Sequence, residues 1–88
     1  MEANVEQLKF PLRWHGRLVM LAGTVGVEES VARVFQSLGV TEGEVVQANR
    51  SRNGTYETWR LSGMVHSLAM LRGMFLALEG LPGMKMLL

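Results

Sequence analysis

The alternation of apolar and polar positions divides the chain into six segments. From Trp14 to Ala22 the run Trp-His-Gly-Arg-Leu-Val-Met-Leu-Ala is apolar except for His15 and Arg17 near its start, which suits a strand. Its even positions, Trp14, Leu18, Met20 and Ala22, share one face, and His15, Arg17, Val19 and Leu21 share the other. Gly23 and Gly26 then break the chain. Val27, Val31, Val34, Phe35 and Leu38 form one stripe of a 3.6-residue period, which predicts a helix. Glu28 and Glu29 sit in its first turn, where negative charge suits the helix dipole. Glu29 and Arg33 form a favourable i,i+4 pair, and Gly39 supplies the stop.

Residues 44–52 and 55–63 flank Asn53-Gly54, a dipeptide that predicts a tight hairpin with positive φ at both turn positions. In the second arm Trp59, Leu61 and Gly63 point one way, and Tyr56, Thr58, Arg60 and Ser62 the other, as in a sheet covered on one side. Ser67 caps a second helix that runs to Glu79 and stops at Gly80, with Leu68, Leu71, Met74, Phe75 and Leu78 as its core stripe. Residues 84–88 read as a last strand. The order β-α-β-β-α-β with right-handed crossovers predicts an α+β, ferredoxin-like sandwich, with two helices on one face of a four-stranded antiparallel sheet. Residues 1–9 read as a flexible lead-in and 10–88 as the single domain.

Composition narrows the classes of function. Hydrophobic residues make up 48% of the 88 positions and charged ones 19%, so a packed core is expected rather than disorder. There is no Cys, which excludes disulfides, thiolate metal sites and cysteine nucleophiles, and all eight acidic residues are Glu. A net charge of +1 argues against nucleic-acid binding driven by bulk charge. The start, Met-Glu-Ala-Asn-Val-Glu-Gln, is polar and acidic, unlike a signal peptide. Arg72, Glu79, Pro82 and Lys85 interrupt the apolar stretch 61–88, short of the ~18 uncharged residues a membrane span requires. A cytoplasmic protein with no membrane contact is expected.

Phe10-Pro11 before the first strand, Ser51-Arg52-Asn53-Gly54-Thr55-Tyr56 at the hairpin and the closing Met86-Leu87-Leu88 resemble the YbeD-like family of small bacterial proteins, over roughly residues 10–88. Arg17 stands where the family tends to have Lys, and Met20 where it tends to have Gly. The resemblance implies a ferredoxin-like fold similar to ACT-type regulatory domains. It also implies a module that senses a small ligand or docks on a metabolic enzyme, with lipoate metabolism the pathway suggested for some relatives.

The chemistry visible in the residues agrees with a non-catalytic module. His15 and His66 have no sequence-local carboxylate to orient them, and two isolated histidines are too few for a metal site, so no enzyme, metal or cofactor is expected. Gly23-Thr24-Val25-Gly26 lacks both the Lys of a phosphate loop and the third Gly of a dinucleotide fingerprint. Basic residues gather at the hairpin: Arg50, Arg52 and Arg60, with Arg17 expected beside Arg60 on the helix-free face. These four, with Asn53, Gly54 and Tyr56, are the candidate contacts for a small anionic ligand or an acidic partner. RNA binding through the same face is the alternative, carried by Tyr56 and the arginines. On the second helix Ala69, Gly73 and Ala77, spaced by four and bordered by Met70, are the candidate homodimer interface, because a mid-helix Gly permits close approach.

Overall fold

The computed structural model describes residues 8–88. Of the predicted lead-in 1–9, residues 1–7 lie outside the described residues. The elements are β1 (Leu12–Leu21), α1 (Val27–Leu38), β2 (Thr41–Arg50), β3 (Tyr56–Val65), α2 (Leu68–Glu79) and β4 (Met84–Leu87), in the expected order. The sheet order is β2-β3-β1-β4, all neighbours antiparallel, which makes a ferredoxin-like sandwich. Among the described residues no helix is long and apolar enough to cross a membrane.

Parity along the two central strands decides which side chains meet the helices. β1 and β3 pair without interruption over ten positions, from Leu12 opposite Val65 to Leu21 opposite Tyr56. Leu18 and Met20 of β1 and Leu61 and Val65 of β3 point inward and are almost wholly buried. They pack against Val27, Val31 and Phe35 of α1 and Leu71, Met74 and Leu78 of α2, so one face of the sheet carries the core. The odd positions of β1 and the even positions of β3 face away from both helices.

Glycines bound α1 at both ends in the left-handed region, Gly26 at φ 76° and Gly39 at φ 85°. At α2 the Ser67 hydroxyl accepts the Met70 N–H, as its sequence position predicts. The helices pack on each other closely. A Cβ built at Gly73 lies 3.5 Å from Leu38 of α1, and the Met70 methyl lies 3.4 Å from the Cβ position of Gly39. Thus the close approach that Gly73 suggests is made within the chain, to α1, while Ala69 is exposed and Ala77 half-buried.

Strand boundaries differ from the sequence pattern by one to three residues: β1 is Leu12–Leu21 rather than 14–22, β3 is Tyr56–Val65 rather than 55–63, β2 ends at Arg50 rather than 52, and β4 ends at Leu87 rather than 88. β2 begins at Thr41 rather than 44, because an irregularity takes up an extra residue between the Thr41–Met64 and Glu44–Ser62 pairs. Glu42 there adopts φ 53°, and Gly43 leaves room for the Phe35 ring, which a Cβ would meet at 2.6 Å. At the hairpin only Gly54 takes positive φ, at 78°, so the two-residue turn is replaced by a longer loop closed by the Ser51 N–H to Tyr56 carbonyl bond. The Asn53 side-chain oxygen holds that loop, accepting from the Ser51 hydroxyl and the Thr55 N–H. An Asx-type bond of this kind competes with the left-handed conformation that Asn would need in a tight turn.

Gly43→Val drives a side chain into the Phe35 ring and is expected to lower stability by about 1–3 kcal/mol. Gly73→Ala meets Leu38 at ordinary contact distance and is expected to raise stability by about 0.5–1 kcal/mol. Urea midpoints of the two variants check both signs; a loss at Gly73 would contradict the packing described here.

Candidate anion-recognition face

On the helix-free face the central strands bring two arginines into direct opposition. Arg17 and Arg60 are paired across β1 and β3. The Arg17 backbone donates to and accepts from Leu88, at 3.0 and 2.8 Å, so its hydrogen bonds are directed at the opposite edge. The Arg17–Arg60 position is therefore a non-hydrogen-bonded pair, the kind in which facing Cα atoms approach to about 4.5 Å and side chains come closest. Like charges in that position destabilise a sheet. Among the described residues neither guanidinium has a carboxylate within salt-bridge distance. Their neighbour Arg13 is different, since it donates to Glu42 at 2.6 Å.

The surface around the pair is concave. A depression of about 460 Å³ is lined by His15, Gly16, Arg17, Arg60, Leu61 and Leu88. A second, of about 220 Å³, adds Glu44 and Val46 beside His15 and Arg60. A third, of about 270 Å³, lies between Arg17, Arg60, Thr58 and the irregular Ala48–Asn49 stretch of β2. Arg60 borders all three. At the far end of the face the Lys85 ammonium stands 5.9 Å from the centre of the Tyr56 ring.

This geometry can be set beside known proteins. The family described as protein of unknown function (DUF493) matches residues 5–88. The chain belongs to this family. That agrees with the resemblance carried by the hairpin and the element order. The chain is similar to protein HP0495 from Helicobacter pylori in two solution structures. One has a TM-score of 0.78 and 14% identity, covering 100% of this chain and 94% of that one. The other has a TM-score of 0.63 and 16% identity, covering 90% and 87%. At these identities the likeness concerns the fold alone. No curated protein matches.

In this family member the candidate contacts separate into three groups. Arg17 and Arg60 meet on the open face, with Tyr56 on the same face. Arg50 does not join them; it donates at 2.7 Å to Glu57, which shares the covered face with Trp59 and Leu61 and is only 5% exposed. The role of Arg50 is to neutralise a buried carboxylate. Arg52, Asn53 and Gly54 form the exposed loop beyond it. Met70 and Gly73 face α1, as described above. The sequence pattern puts His15 on the face of Arg17 but does not single it out as a contact, and it gives no sign of Lys85 and Leu88, whose positions depend on the β4 pairing. Glu57 was also missed; its signal is a lone acid in register with Trp59 and Leu61. His66 lies elsewhere, its ring 3.0 Å from the Thr41 hydroxyl, and among the described residues no cluster fits a metal ion.

Removing one of the opposed charges should stabilise the fold. Arg60→Gln is expected to raise stability at low ionic strength by about 0.2–1 kcal/mol. The gain should shrink between about 10 mM and about 1 M salt as the Debye length falls from about 30 to about 3 Å. Paired thermal melts of the two proteins measure it. Arg50→Ala should instead cost about 1–3 kcal/mol, discounted for the half-exposed guanidinium, by leaving Glu57 unpaired. Adding Glu57→Gln to that variant should recover part of the loss in chemical unfolding.

Proposed function

We propose that this chain is a non-catalytic recognition module that binds a carboxylate or phosphate group on the helix-free face of its sheet, with Arg17 and Arg60 as the binding charges. The observation that carries this reading is the direct opposition of these two arginines, neither of which has a carboxylate within salt-bridge distance among the described residues, although Glu44 shares a depression with Arg60. Facing like charges weaken a sheet, and an anion placed between the two guanidinium forks would replace repulsion with charge-assisted hydrogen bonds. His15 and the concave surface around Arg60 supply a third polar group and a seat for the ligand. The non-catalytic part of the reading is supported by the histidines: neither imidazole has a carboxylate within salt-bridge distance among the described residues. RNA binding is less well supported, because among the described residues Tyr56 is the one aromatic residue on this face and Lys85 stands over its ring.

Citrate and pyrophosphate, titrated at low salt, should raise the melting temperature of the protein. At about one hundred times the dissociation constant the added stability is about 2.7 kcal/mol. Arg60→Glu should abolish the response and Arg52→Glu, in the exposed loop, should preserve it. Absence of any response in the unmodified protein, or an undiminished one in Arg60→Glu, would overturn the reading.

A further inference from the structure

The register of the sheet lays out a second polar row beside the two arginines. Across β2, β3 and β1, Val46, Arg60 and Arg17 are opposed in one row, and Glu44, Ser62 and His15 in the next. Directly opposed residues share a face, so all six stand on the helix-free side. Successive rows on one face lie about 7 Å apart along the strands. The side chains of Glu44 and Arg60 are long enough to close most of that gap, and both line the depression of about 220 Å³ that His15 and Ser62 also line.

Two observations in the second row point to a ligand. Ser62 is only 8% exposed, although no helix covers this face, and it lines the depression. Among the described residues its hydroxyl forms no hydrogen bond. A hydroxyl so placed offers one donor and two acceptor lone pairs to whatever enters. Glu44 is exposed, and among the described residues no Arg, Lys or His nitrogen stands within salt-bridge distance of it. The neighbouring acid, Glu42, is taken up by Arg13 at 2.6 Å. Glu44 is therefore the acid that this part of the face presents to a ligand.

That acid discriminates among anions. A bare carboxylate or phosphate held by Arg17 and Arg60 would lie beside the like charge of Glu44, which opposes it. An anion that also carries an ammonium group turns the same charge into an attraction, and Ser62 offers a hydrogen-bond partner between the two ends. His15, beyond Ser62, closes the depression on the β1 side.

We infer that the site takes a small anion that carries its own ammonium group a few bonds away, with the anionic end between Arg17 and Arg60 and the ammonium on Glu44. The inference rests on the anion-recognition reading above and specifies its ligand.

The test titrates the full chain at low salt with O-phosphoethanolamine and with ethyl phosphate, and follows backbone amide chemical shifts. At about pH 8 both phosphates are dianionic, so the ammonium is their difference. γ-Aminobutyrate and butyrate repeat the comparison with a carboxylate at the anionic end. In at least one pair the amine-bearing member should bind at least about threefold tighter, the scale of one exposed ion pair. Glu44→Gln should erase that preference and leave the amine-free member bound as well as before or better. Arg60→Glu should remove the binding of both members. Equal affinities within both pairs in the unmodified protein, or a preference that survives Glu44→Gln, would overturn the assignment of the ammonium to Glu44. If ethyl phosphate or butyrate still bound in that case, and Arg60→Glu removed that binding, anion recognition would stand. Failure of all four probes to bind would overturn both.

Discussion

The uninterrupted pairing of β1 with β3 is the constraint on which the rest of the molecule depends. Ten consecutive pairs without an irregularity lock the parity of both strands, and a slip of one residue would exchange every inward side chain for an outward one. The same register that sends Leu18, Met20, Leu61 and Val65 into the core sets Arg17 opposite Arg60 on the other side. The apolar face specifies the register strongly, so the sheet cannot relieve the arginine repulsion by shifting. A cost on the open face is held in place by packing on the covered one. Such conflicts between local electrostatics and the global fold concentrate at functional sites, which is why the proposed anion site is placed here.

Elements whose signals are local were legible in the sequence. The stripe from Val27 to Leu38 predicts α1 with the bounds the structure has, and Ser67 marks the start of α2. The opposition of Arg17 and Arg60 was also within reach, because alternation assigns both to one face once the element order is known. Features that depend on two distant segments were not. The start of β2 follows from Phe35 packing over Gly43, and nothing near Gly43 in the chain announces that ring. The division of labour among the hairpin arginines depends on Glu57 being buried, which makes Arg50 a counter-ion while Arg52 remains in solvent. Gly73 was read as a mark of an external contact, but its neighbour is Leu38 of the same chain. A small residue on a helix records that something comes close, and the fold decides what.

The two layers divide the work of the protein. Substitutions on the helix side disturb a close-packed core, in which Gly16, Gly43 and Gly63 are occupied by the Trp14, Phe35 and Val40 side chains. The open face has no helix packed on it, so its side chains are less constrained by the core. The fold shared with HP0495 at 14% identity illustrates the same separation, since little beyond the pattern of inward positions is needed to maintain it.

That separation extends to the chromophores. Trp14 and Trp59 both stand on the helix side, Trp14 with its ring centre 5.9 Å from that of Phe75 and Trp59 with a buried indole N–H that meets no acceptor among the described residues. Tryptophan emission from this protein therefore reports on the seating of the helices against the sheet. The tyrosine contribution comes from the other side, from Tyr56 beside Lys85. Nature has placed one colour of probe in each layer, so a spectroscopist can watch the core and the open face separately without adding a label.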